Sequence, residues 1–76
     1  MKENEIDTSR ELKKLGRRIA ELRDAEGLSQ RKFALMIGMD NSYLSAIEAG
    51  ERNPKFSTLA RIAYALNKTV QDLFVY

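Results

Sequence analysis

Apolar side chains recur at intervals of three and four residues along most of the chain, the period of an amphipathic helix. Leu12, Leu15, Ile19 and Leu22 form the first such stripe, and it predicts a helix from about Ser9 to Glu26. Thr8 and Glu11 have the spacing of a capping box, with Thr8 covering a free amide and Glu11 reaching back. Gly27 suits a left-handed C-terminal cap, since it has no Cβ to clash. Gly16 lies inside this helix at a cost of about 1 kcal/mol relative to alanine. Either a close backbone approach requires it or the helix tolerates it.

Beyond Gly27 the pattern breaks into short pieces. Ser29 is the N-cap expected for a helix over Gln30 to Ile37, with Phe33, Ala34 and Ile37 on its inner face and Gly38 ending it. Asp40 is the expected cap of a third helix, Asn41 to Ala49, whose inner positions are Leu44 and Ile47 and whose end is Gly50. A polar loop follows, with the sole proline, Pro54. Phe56, Leu59, Ile62, Ala63 and Leu66 then predict a fourth helix ending at Asn67, a residue type that tolerates positive φ. Thr69 and Asp72 open a short fifth helix carrying Val70, Leu73 and Phe74. No segment alternates with the period of a strand. The expected fold is all-α with five helices, a flexible tail over residues 1–8 and one domain over residues 9–76.

Composition narrows the chemistry. The 76 residues include no cysteine and no histidine, so thiolate or imidazole metal ligands and the usual neutral-pH acid/base groups are missing. No carboxylate spacing suggests a catalytic pair, and short helices leave little room for a pocket, so neither enzyme activity, metal nor cofactor is expected. No apolar run is long enough to span a bilayer, and the polar N-terminus MKENEIDTSR lacks a signal-peptide core. A cytoplasmic protein without membrane association is the expectation. The net charge of +2 says little about partners by itself.

One constellation says more. Two short helices joined by a tight turn need a small residue where they cross, a turn residue able to take positive φ, and apolar anchors in the second helix. Ala34, Gly38, Leu44 and Ile47 supply these in order. The arrangement is a helix-turn-helix, whose second helix keeps a free outer face for the major groove.

The string Leu28-Ser29-Gln30, Ala34, Gly38, Leu44-Ser45, Ile47-Glu48 and Gly50, followed by Pro54 and by Leu59, Ile62-Ala63 and Ala65-Leu66, resembles the Cro/C1-type (Xre-family) helix-turn-helix domain. The resemblance covers about residues 12–74. It implies a lambda-repressor-like fold with helices 2 and 3 as the helix-turn-helix and helix 3 as the recognition helix. It places base reading on Asn41, Ser42 and Ala46, with Ser45 nearby, and phosphate contact on Gln30. It also places a buried ion pair on Arg23 and Glu48.

These positions have plainer readings too. Asn41 and Ser42 open a helix, where polar residues serve as caps. Asparagine pairs with adenine and serine reaches most base edges, whereas Ala46 offers only a methyl group. Tyr43 packs on the sugar-phosphate backbone or shields helix 2. Arg52, Asn53 and Lys55 occupy a loop beside the recognition helix, where phosphates pass, and Arg31 lies in the first turn of helix 2. Arg17 and Arg18 read as a solvated face. Without a separate oligomerisation domain, the apolar end Phe74-Val75-Tyr76 is the expected homodimer contact. The expected function is a double-stranded DNA-binding transcriptional regulator, a homodimeric repressor or repressor–activator on a palindromic operator. The alternative is an antitoxin-like or adaptor protein whose main partner, a toxin or a protein antagonist, binds the apolar C-terminus.

Overall fold

The computed structural model describes residues 6–76, and it contains four α-helices followed by a 3₁₀ turn, with no strand among the described residues. The helices are α1 (Ser9–Ala25), α2 (Gln30–Met36), α3 (Asn41–Glu48) and α4 (Phe56–Ala65), and the turn is Gln71–Phe74. The expected fifth helix is therefore a single 3₁₀ turn. Thr69 and Asp72 nevertheless cap it reciprocally: the Thr69 N–H donates to Asp72 Oδ2 at 2.8 Å and the Asp72 N–H to Thr69 Oγ1 at 3.2 Å. The first five residues of the expected N-terminal tail lie outside the described residues.

Each helix contributes one stripe to a single core. Leu15, Ile19 and Leu22 of α1 meet Phe33 and Ala34 of α2, Leu44 and Ile47 of α3, and Leu59, Ile62 and Ala63 of α4, and Leu73 closes the cluster from the 3₁₀ turn. Met39 is also buried there, although its place in the α2–α3 turn hides it from any periodic reading. Phe56 is the reverse case. It continues the apolar stripe of α4 in sequence but is 67% exposed, because it is the first residue of the helix and no neighbouring element covers it.

The four α-helices end with the same device. In each, the residue in the left-handed conformation donates its N–H three residues back, and the next residue donates five back, which is the Schellman pairing. At α2, Gly38 (φ 64°) donates to Leu35 O and Met39 to Ala34 O at 2.8 Å. At α3, Gly50 (φ 78°) donates to Ile47 O and Glu51 to Ala46 O at 2.9 Å. Gly27 and Asn67 fill the corresponding place after α1 and α4.

The starts of the helices depart further from expectation. Ser29 caps α2, accepting the Lys32 N–H at 3.0 Å. Thr8 makes no side-chain cap at α1; instead Asp7 Oδ1 accepts the Ser9 N–H at 2.9 Å. Asp40 occupies the N-cap position of α3 but turns its carboxylate to the Ser42 hydroxyl, 2.8 Å away.

Gly16 has a definite reason. A Cβ there would lie 2.5 Å from the Ile47 carbonyl oxygen and closer still to that of Glu48, so α1 and α3 touch backbone to backbone at this point. The contact brings the C-terminal end of α3 down onto the middle of α1. The other face of α3 is covered only in part, with Asn41 and Ser42 exposed and Ser45 and Ala46 half-buried.

Candidate nucleic-acid interface

Helix α3 divides cleanly into two faces. Leu44 and Ile47 are fully buried, Ser45 and Ala46 are half-buried, and Asn41 and Ser42 are exposed at its N-terminal end. All four positions named for base reading therefore sit on or beside the open face. Tyr43 is half-buried and packs against the core cluster, which accounts for its body whatever its hydroxyl does. Neither Asn41 nor Ser42 caps the helix, since Asp40 holds that position and Ser42 donates its hydroxyl to the Asp40 carboxylate.

The orientation of α3 is set by a polar network at its other end. Arg23 grips Glu48 with two parallel bonds, Nε to Oε2 at 2.8 Å and Nη2 to Oε1 at 2.9 Å. Its remaining nitrogen, Nη1, donates to the Leu28 carbonyl at 2.6 Å. Gln30 Nε2 donates to Glu48 Oε1 at 2.7 Å. The two charged side chains are 12% and 4% exposed, so the pair is largely dry, and each has the extra partners that burial demands. Hydrogen bonding to Glu48 holds the Arg23 guanidinium above its ordinary pKa against the opposing effect of burial, with the nearby Glu48 and Asp24 charges adding to the rise. One network thus ties α1, the α1–α2 loop, the first turn of α2 and the last turn of α3 together.

Gln30 sits at the junction of this network and the surface. One of its amide hydrogens is committed to Glu48, while the residue itself stays half-buried at the first position of α2. Arg31 lies exposed beside it. After α3, Arg52, Asn53 and Lys55 are exposed on the loop that leads from Gly50 to α4, and Pro54 is buried among them and anchors that loop. Cationic or amide side chains are therefore accessible at the start of α2 and on the loop that follows α3. Sequence reasoning had no means of finding the Leu28 carbonyl in the Arg23 network, because a backbone acceptor leaves no residue-type signal. It likewise missed Arg18, which is not simply solvated: its Nε donates to the Asp72 carbonyl at 2.8 Å and fastens the 3₁₀ turn to α1.

Phe74, Val75 and Tyr76 are 48%, 60% and 59% exposed. Phe74 and Tyr76 form one wall of a shallow groove of about 290 Å³ whose other walls include Leu12 and Leu15 of α1, Pro54 and Leu59. Lys14 Nζ lies 6.0 Å from the centre of the Tyr76 ring. Among the described residues no group of acidic side chains could hold a metal ion, and no helix is long and apolar enough to cross a membrane.

Residues 19–73 match the helix-turn-helix family profile, a span that includes α2, α3 and α4 whole. The chain is a Cro/C1-type helix-turn-helix protein. This family comprises DNA-binding proteins rather than enzymes. Among solved structures, the fold superposes on the restriction-modification controller protein C.AhdI from Aeromonas hydrophila with a TM-score of 0.82 and 40% identity, covering 86% of this chain and 98% of that one. Control protein C.MunI of Mycoplasma sp is 37% identical over 62 residues, 80% of this chain and 84% of that protein. The ImmF control region 10 kDa protein of Bacillus phage phi105 is 44% identical over 55 residues, 72% of this chain and 61% of that protein. The HTH-type transcriptional regulator PuuR of Escherichia coli is 34% identical over 59 residues, and the match spans only 32% of its length.

Proposed function

We propose that this helix-turn-helix protein is a sequence-specific transcriptional regulator that binds double-stranded DNA as a homodimer on an inverted repeat, and that it represses, or represses and activates, by occupying promoter DNA. The observation that carries the reading is the two-faced α3. Its inner side is locked by Leu44, Ile47 and the Arg23–Glu48–Gln30 network, and its outer side is open, with Gln30 and Arg31 at the start of α2 and Arg52, Asn53 and Lys55 on the loop that follows α3. Asn41, Ser42, Ser45 and Ala46 read base edges in the major groove, and the flanking residues with Tyr43 hold phosphates. The phosphate contacts supply most of the affinity and the open face of α3 supplies the choice of sequence. The likeness to C.AhdI over nearly all of that protein supports regulation through a domain of this kind. The site of action is the cytoplasm.

A short recognition helix reads few base pairs, so two copies related by a two-fold axis are needed for useful specificity. The exposed Phe74-Val75-Tyr76 segment supplies the contact between them. The same exposure supports a second reading, in which another protein occupies this segment and DNA binding is secondary.

Selection from random duplex DNA, with the recovered sequences bound at two salt concentrations, tests the main reading. An enriched inverted repeat with steep salt dependence is expected. Weak, sequence-blind binding would overturn it and favour the protein-partner reading.

A further inference from the structure

The first half of α1 carries a run of cations outside α3 and its neighbouring loops. Arg10, Lys13, Lys14 and Arg17 follow one another at helical spacing, and with Ser9 they line a shallow groove of about 330 Å³ that has no carboxylate in its walls. All four side chains are exposed. Asp7 and Glu11 share a neighbouring groove with Arg10, Glu21 stands four residues past Arg17 and Glu51 is next to Gly50, but among the described residues the one salt bridge is Arg23–Glu48, so none of these carboxylates pairs with the four cations.

Glu11, three residues before Lys14, and Glu21, four after Arg17, offset only part of the repulsion among these cations. Like charges three and four residues apart on a helix repel, and Arg10 with Lys13, Arg10 with Lys14, Lys13 with Arg17 and Lys14 with Arg17 all stand at that spacing. Cations in the first turns also oppose the positive end of the helix dipole. A polyanion laid in the groove relieves both penalties.

The groove is also placed beside the DNA-facing loop. Gly50 packs directly over Lys13: a Cβ on that glycine would come within 2.6 Å of Lys13 Cγ and 2.7 Å of Lys13 Cα. Arg52 lies only two residues further on. From Arg10 to Arg17 the helix advances about 10 Å, comparable to three steps of one DNA strand at roughly 3.4 Å each.

We infer that Arg10, Lys13, Lys14 and Arg17 form a second phosphate-binding surface, continuous with the Arg52–Lys55 loop, which holds the backbone of the bound duplex alongside the segment read by α3. This rests on the DNA-binding reading and extends the footprint it implies.

The test uses the full chain with Arg10→Gln and Arg17→Gln together, which removes two charges while leaving Lys13 against Gly50 and Lys14 over Tyr76. Helix content and melting temperature of the double variant should equal or exceed those of the parent chain, since repulsion is lost. Binding is measured to the selected inverted repeat and to an unrelated duplex of the same length, each at 50 and 200 mM salt. On either duplex, two lost contacts reduce the salt slope by about 1.8. Between 50 and 200 mM salt the parent chain then loses about tenfold more affinity than the variant. Equal binding and equal salt slopes for the two proteins would overturn the second surface alone, and a loss confined to the selected repeat would overturn its assignment to phosphates. Failure of the parent chain to bind any selected duplex would overturn the DNA-binding reading and this inference with it.

Discussion

Gly16 in the middle of α1 lies against the backbone carbonyl of Glu48, the last residue of α3. The same Glu48 sends its side chain to Arg23, two helical turns along α1. Backbone contact at one point and an ion pair at another fix both the distance and the rotation of α3 relative to α1. The recognition face is thus oriented from behind, by residues that never reach its surface.

Replacing Gly16 with alanine should therefore destabilise the domain, although alanine is the better helix former by about 1 kcal/mol. The added methyl has only backbone carbonyls to push against, and overpacking of this kind costs roughly 1–3 kcal/mol or more. A lower melting temperature by thermal denaturation is expected. A rise would show that α1 and α3 can separate freely at this point.

Arg23→Met should cost about 3–5 kcal/mol, because it strands the nearly buried Glu48 carboxylate. Arg23→Met with Glu48→Met should recover most of that loss, since two apolar side chains of suitable size replace a dry ion pair at little net cost. Urea unfolding of the single and double variants separates the two effects. A double variant as unstable as the single one would mean that the Leu28 carbonyl and Gln30 amide, left without partners, dominate instead.

Asn41→Ala and Ser42→Ala should alter which base is preferred, by about 1–3 kcal/mol at the affected position. Arg52→Ala and Lys55→Ala should weaken binding to all sequences alike and flatten the salt dependence by about one unit of slope each. Competition binding with operator variants at two salt concentrations reads both. Unchanged preference in the first pair would remove α3 as the reading element.

Asp72 makes stability depend on acid. The Thr69 N–H, then the Thr69 hydroxyl, hold its carboxyl below the ordinary 3.8, and Lys68 and Arg18 lower it further. A depressed folded-state value means that the stabilisation is complete above the unfolded value and disappears as pH falls through the folded one. Stability should thus drop below about pH 4, and Asp72→Asn should lose part of that drop. Asp7, lowered by its bond to the Ser9 N–H, keeps the rest. Melting temperatures between pH 2 and pH 6 compare the two proteins.

Deleting Phe74, Val75 and Tyr76 should convert a dimer to a monomer in sedimentation while leaving Leu73 in the core. A persistent dimer would place the interface elsewhere.

Much of this protein is determined by the order of its residues alone. Helical spacing of apolar side chains is a local property, so the four helices and their Gly and Asn ends follow from residues within a few positions of one another. The Ala34–Gly38–Leu44–Ile47 spacing marks the helix-turn-helix for the same reason. Tertiary structure decided what depends on distant partners. Gly16 needs the α3 carbonyls to explain it, Phe56 needs an absent neighbour to stay exposed, and Met39 is buried from within a turn. Arg18 and Arg23 look alike in sequence, yet one holds the Asp72 carbonyl and the other Glu48, Leu28 and the orientation of α3. Local periodicity specifies which face of a helix turns inward. Only the folded chain, by bringing residues 25 and more positions apart into contact, specifies what that face meets.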